Sequence, residues 1–298
     1  EFNSGGEARE GAGRSGGGGG EGRPPRHGKP KGDLIFNSNF EGGNIGEVKQ
    51  VSDSEWEVSL RPDTNAQRYR LWFHWRITNC KAGQRALISI VNFSKTRSLY
   101  RDGMSPLVKS TSRPHWERIP QKNVFYFRSP RHKMSYVLSF VFVFDKEDDV
   151  YSFAYCFPFS YTEQQRLIAE IQMRNLPFVQ RHLLTRSIQG RRVDVLTIAD
   201  PVSVPPRAVH SSPEPSRPSW DFNRSEEPKG RGPQRPGDPP LAEGVRRVVF
   251  VSARVHPGET PASWVTKGFL DFVTSSHPEA AALRRAVVIV VVPMINPD

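Results

Sequence analysis

Between residues 55 and 157 the chain alternates apolar and polar positions in six stretches. They are Glu55–Leu60, Tyr69–Ile77, Ala86–Phe93, Asn123–Phe127, Tyr136–Phe144 and Val150–Phe157. Aromatic and β-branched residues dominate them, and the period of two predicts strands. Turn-forming residues separate them: Arg61-Pro62-Asp63, Lys81-Ala82-Gly83, Arg101-Asp102-Gly103 and the acidic run from Asp145 to Asp149. The stretch YVLSFVFVF (136–144) has almost no polar alternation, so it is expected to be covered on both faces. Short strands at this spacing predict an all-β sandwich over residues 33–160. Trp72, Trp75 and Trp116 are read as core, and His74 and His115, set among aromatics, as packing residues.

The period then changes. Leu167, Ile168, Ile171, Leu183 and Leu184 suit a helix over 162–186, interrupted near Asn175-Leu176-Pro177, with Thr162 as N-cap. VDVLTI (193–198) predicts a strand. RRVVFVSA (246–253) predicts a buried strand, followed by a turn and a helix from about Pro261 to Val273. A helical turn at 278–284 then leads into a strand over 287–292. Strand, helix, strand is a βαβ unit with a parallel pair, the opening of an α/β domain over 161–298.

Composition modifies this picture at two places. Twelve of the 24 glycines lie in residues 1–32, and 11 of the 26 prolines lie in 201–240. Neither stretch has apolar period, and both are expected to be disordered, one a leader and the other an insertion. The longest apolar run, Ala286 to Met294, is too short for the roughly 20 residues of a membrane helix. No N-terminal apolar core suggests a signal peptide. Cys80 and Cys156 cannot build a disulfide framework and are read as reduced, in a cytosolic or nuclear compartment. The net charge of +11 suits acidic partners. It does not argue for a specific nucleic-acid binder, because the aromatics follow strand-core spacing. No GxxxxGK[ST] phosphate loop occurs. The chain starts at Glu1 and stops at Asp298, just after its last apolar strand, and reads as a fragment.

One turn concentrates chemistry. Strand 248–251 leads into Arg254-Val255-His256-Pro257-Gly258-Glu259-Thr260-Pro261. The carboxyl edge of an open α/β sheet is where such folds bind ligands. His256 and Glu259, three apart across a Pro-Gly turn, can converge on one point and suit two ligands of Zn²⁺. A catalytic His₂Glu set would need one further His. Thr260 is expected to cap the following helix, with Pro261 at its first position. The bland alternative is a turn histidine beside a surface glutamate. His277-Pro278-Glu279 offers a rival pair, but it follows a helix on a surface turn, and His277 is read as structural.

HPGETPASW, a helix, an apolar strand and PMINPD together resemble the cytosolic carboxypeptidase subfamily of zinc carboxypeptidases. IVNFSKTRSLYRDGMSPLVKSTSRPHWERIP and YVLSFVFVFDKEDDVYSFAYCFPFSYT resemble the β-sandwich domain that precedes catalysis in that subfamily. The likeness covers about residues 34–200 and 241–298. It implies an all-β sandwich domain followed by the truncated start of an α/β zinc-carboxypeptidase domain. It also implies a cytoplasmic metallocarboxypeptidase, associated with microtubules, centrioles or cilia, that removes glutamates from polyglutamylated tubulin or other acidic-tailed proteins. His256 and Glu259 match the family's first two zinc ligands. Its third ligand, its general-base Glu and its carboxylate-binding Arg and Asn lie downstream of Asp298. No catalytic residue is therefore expected in this chain, which is expected to be inactive alone. The alternative is a non-catalytic β-sandwich module that docks partners.

Overall fold

The computed structural model describes residues 30–64, 66–94, 96–200 and 246–298. The Pro-rich stretch 201–240, and all of the leader except residues 30–32, lie outside the described residues. Residues 30–32 are fastened to the fold. The Lys31 ammonium sits 2.8 Å from Asp148, and the Gly32 N–H donates to the Asn79 carbonyl.

Up to residue 160 the described residues contribute ten strands: β1 Ile35–Asn37, β2 Val48–Ser52, β3 Glu55–Val58, β4 His74–Thr78, β5 Arg85–Ile90, β6 Leu107–Lys109, β7 Glu117–Arg118, β8 Val124–Ser129, β9 Ser135–Val143 and β10 Tyr151–Ala154. They form two five-stranded sheets, ordered β1-β4-β10-β6-β7 and β2-β3-β5-β9-β8. Alternation along the strands sends one set of side chains inward from each sheet, and the two sets make one core. Trp75, Ile77, Tyr151 and Phe153 of the first sheet meet Trp56, Ile88, Leu138 and Phe140 of the second. The Trp75 and Phe140 rings stack at 6.4 Å. Each aromatic buried here removes a large apolar area from water, at roughly 25 cal/mol per Å².

The predicted strands are present but shorter. Tyr69–Phe73 precede β4 as irregular chain. In β9 only the middle is covered on both faces, and Val143 is 53% exposed. His74 packs as expected, edge-on to Phe40 at 4.8 Å and to Trp116 at 5.6 Å. Burial, with Lys109 and Arg76 nearby, pushes its imidazole down to about 4. His115 is instead exposed, in the irregular chain just before β7. Cys80 and Cys156 are free and buried.

The rest of the chain forms α1 Tyr161–Met173, β11 Val179–Arg186, β12 Arg192–Ile198, β13 Arg247–Ser252, α2 Pro261–Val273, α3 Pro278–Ala286 and β14 Val287–Val292. Ser160, not Thr162, caps α1. Its hydroxyl accepts from the Glu163 N–H while the Glu163 carboxylate accepts from the Ser160 N–H, a capping box. The predicted second half of that helix is strand β11. It pairs with β12 through a register shift between Leu183 and Thr185, and Leu183 and Leu184 are exposed.

The third sheet runs β11-β12-β14-β13. β14 pairs antiparallel with β12 and parallel with β13, so the βαβ unit holds inside a mixed sheet. Its core joins Leu167, Ile168 and Ile171 of α1, Leu270 and Val273 of α2, and Leu196, Ile289 and Val291 of the sheet. β13 corrects an expectation. It is the edge strand, and Val248 and Phe250 are 64% and 62% exposed among the described residues. An apolar run identifies a strand, but an edge position leaves it with one neighbour instead of two.

Candidate metal centre

The turn after β13 is anchored at its base. Ala253 N–H donates to the Val292 carbonyl, and Ile295 and Asn296 N–H groups donate to the carbonyls of Ala253 and Arg254. Adjacent parallel strands β13 and β14 thus stay zipped one residue beyond their ends. Arg254 then adopts φ 58°, which turns the chain sharply. Its guanidinium folds back under the turn. Nε donates to the Pro257 carbonyl at 2.9 Å, and Nη1 donates to the Phe159 carbonyl at 3.0 Å and to Ser263 Oγ at 2.9 Å. Burial lowers this guanidinium to about 10, so it stays charged at neutral pH. Composition gave no sign of this brace. The only signal was a charged residue directly after a strand and a small residue, where side chains point back into the fold.

The turn closes with the Glu259 N–H donating to the His256 carbonyl, and α2 begins at Pro261 as predicted. Thr260 does not cap it through its side chain. Its hydroxyl donates instead to the Phe157 carbonyl at 2.7 Å and touches Cys156 Sγ at 3.1 Å. These bonds, with the Trp264 ring edge-on to Phe159 at 5.0 Å, tie the start of α2 to the segment leaving β10. Gly258 is buried against the first half of the chain. A Cβ placed on it would meet Leu71 Cδ2 at 3.5 Å and Trp72 Cβ at 3.6 Å, ordinary contact with no room beyond.

On this platform His256 Nδ1 and Glu259 Oε2 stand 3.2 Å apart, with side chains 73% and 56% exposed. Two ligands of a tetrahedral Zn²⁺ at bonds of about 2.0–2.1 Å lie roughly 3.3 Å apart. The two are in direct ion-pair contact, and a nitrogen and an oxygen at this spacing also fit two positions of such an ion. Asp63 lies within electrostatic reach. Burial pushes its carboxyl up, and the His256 charge opposes that. Among the described residues no group of three His, Cys, Asp or Glu forms a complete metal site. The rival pair is structural, as expected: His277 is the N-cap of α3, and its Nδ1 accepts from the Glu279 N–H at 3.3 Å.

Beyond β14, Asp298 latches onto the β11–β12 connection. Its carboxylate accepts from the Ser187 hydroxyl and Arg191, both at 2.7 Å, and from the Gln189 N–H at 3.0 Å. Burial alone would push this carboxyl up, but the bonds from Ser187 and Arg191 outweigh it and hold it below the usual range.

Comparison with known proteins follows the same division. The family described as cytosolic carboxypeptidase N-terminal domain matches residues 36–156, and the zinc carboxypeptidase family matches 165–298. Cytosolic carboxypeptidase 6 of Homo sapiens is 45% identical over 273 residues, covering 91% of this chain and 47% of the relative. The Caenorhabditis elegans protein of the same name is 36% identical over 269 residues, covering 90% and 50%. The chain therefore spans about half the length of the curated relatives it matches. Among solved structures, a metallo-carboxypeptidase from Burkholderia cenocepacia superposes with TM-score 0.62 at 21% identity, over 89% of this chain and 56% of that one. A metallo-carboxypeptidase from Pseudomonas aeruginosa gives 0.61 at 19% identity, over 89% and 56%. These likenesses establish the fold. Both halves are matched in order: residues 36–156 carry a cytosolic carboxypeptidase N-terminal domain and residues 165–298 match the zinc carboxypeptidase family.

Proposed function

We propose that this chain is part of a zinc metallocarboxypeptidase that removes glutamates from polyglutamylated proteins such as tubulin. It acts in the cytoplasm, at microtubules, centrioles or cilia. The observation that carries the reading is the His256–Glu259 pair, at 3.2 Å on a braced turn at the carboxyl end of β13. On this reading the first two sheets are a β-sandwich domain ahead of the catalytic domain. The third ligand, the general base and the carboxylate-binding residues belong to the part of the relatives' length that this chain does not span.

Zinc, when bound, polarises a scissile carbonyl and acidifies a water. The chain's own contribution is positional. His256 and Glu259 would hold the ion, Arg254 fixes the turn between them, and the Leu71–Trp72 segment walls its far side. The names of the relatives and the match of residues 165–298 support the class of reaction.

Two measurements test the reading. After dialysis the 298-residue chain should retain less than one zinc, since two ligands are assembled among the described residues. Tight one-to-one zinc that is lost on His256→Ala would mean another residue of this chain completes the site. In the full-length protein, Glu259→Gln should abolish glutamate release from a polyglutamylated tubulin-tail peptide while the β-rich circular dichroism is unchanged. Undiminished release would remove Glu259 from the site.

A further inference from the structure

Strand β8 is the outer strand of the second sheet, so one side of its backbone has no strand neighbour among the described residues. Such an edge offers a row of N–H and C=O groups to an incoming extended chain. Its outward side chains are Phe125 and Phe127, 49% and 45% exposed. Beside it lies an open groove of about 470 Å³, lined by Tyr100, Arg101, Gln121 and the first four residues of β8.

The charge around this groove is one-sided. Residues 96–134 contain nine Lys and Arg against two acids. Some of these cations are already engaged: Arg113 pairs with Asp145 at 2.9 Å, and Arg128 stacks over Tyr136. Arg97, Arg101 and Lys122 are exposed and make no ion pair among the described residues. Packed side chains connect the wall of the groove to the His256–Glu259 turn. The Tyr100 hydroxyl donates to the Tyr155 carbonyl at 2.6 Å, Tyr155 packs against Trp72 at 6.4 Å, and Trp72 backs Gly258.

We infer that the β8 edge and its groove form a docking surface for an acidic peptide in extended conformation, held by strand addition and by Arg97, Arg101 and Lys122. This deepens the proposed function, on which it rests for its biological meaning: the surface would grip the acidic body of a substrate whose end reaches the His256–Glu259 turn. Aromatics among cations could also take single-stranded nucleic acid. The free strand edge favours a peptide, because a phosphodiester backbone cannot extend a sheet.

The test is fluorescence anisotropy of the 298-residue chain with a labelled oligoglutamate peptide, its oligoglutamine counterpart and an oligouridylate. The glutamate peptide should bind, and the glutamine peptide should bind much more weakly. The surface variant Arg101→Gln/Lys122→Gln should weaken binding roughly tenfold, the expected scale for two exposed charge contacts. N-methylating alternate residues of the peptide should abolish binding, because it removes the ladder donors without changing charge. Equal affinity of variant and wild type, or indifference to N-methylation, would overturn the inference. Tighter binding of oligouridylate would reassign the surface to nucleic acid. Binding should also persist in EDTA. Loss there would locate the peptide at the metal turn instead, whereas a failure of the metallocarboxypeptidase reading would leave the anisotropy untouched.

Discussion

Replacing Arg254 with Met keeps the length and apolar stem of the side chain but removes all of its donors. The carbonyls of Pro257 and Phe159 and the hydroxyl of Ser263 then lose bonds of 2.9, 3.0 and 2.9 Å. A hydrogen bond to a charged group contributes about 1.5–3 kcal/mol, and a buried carbonyl left without a partner costs about 1–3 kcal/mol. The three bonds share one guanidinium, whose own desolvation opposes them, so the net loss is set at about 3 kcal/mol. Urea unfolding followed by intrinsic tryptophan fluorescence should therefore show a midpoint lower by about 1 M or more. Arg254→Lys keeps the charge but lacks the fork, and should lie between Met and wild type. If both variants unfold within about 0.5 kcal/mol of wild type, the guanidinium does not brace the turn.

Two further predictions concern charge and pH. Asp194, with its carboxylate 1% exposed, accepts from Arg181, Arg192 and Gln165, so Asp194→Ala should cost about 3 kcal/mol by chemical denaturation. A loss under about 1 kcal/mol would show the network to be solvent-screened. Burial raises the Asp194 carboxyl, but its bonds to Arg181, Gln165 and Arg192 prevail and lower it. Its contribution is present above the ordinary carboxylate range and lost as pH falls through the depressed value. His74, depressed from 6.5 to about 4 by burial, works in the neighbouring window. The unfolded chain binds its proton first, so stability should fall by up to about 3 kcal/mol from pH 6.5 to 4. His74→Phe should flatten that slope, and an unchanged slope would assign the effect elsewhere.

The sequence readings that held have a common physical basis. VVIVVV and PASWVTKGFLDFV carry local signals, an apolar β-branched run and a proline-started helical period, which tertiary contacts did not need to override. The closeness of His256 and Glu259 was legible because they lie three residues apart on one connection, and the structure sets them 3.2 Å apart. VQRHLLTR misled because its adjacent leucines imitate a helix face. The register shift between Leu183 and Thr185 lets both point outward from a strand. The Ser160 cap was readable, since Ser160 and Glu163 stand at capping-box spacing. The exposure of β13 was not, because whether a strand has one neighbour or two is a property of sheet order. Arg254 was equally hidden: its three acceptors come from Phe159, Pro257 and Ser263, which only the folded chain brings together.

The order of the third sheet also dictates when it can form during synthesis. Both β12 and β13 pair with β14, the last of its strands to emerge, and not with each other. Until Val292 has left the ribosome, the edge of β12 and the whole of β13 wait without hydrogen-bonded partners, whereas the two earlier sheets have every strand available once Ala154 is out. A nascent chain paused after Ser252 would leave the backbone of β13 unpaired, so its hazard is kinetic, a window for mispairing set by translation speed.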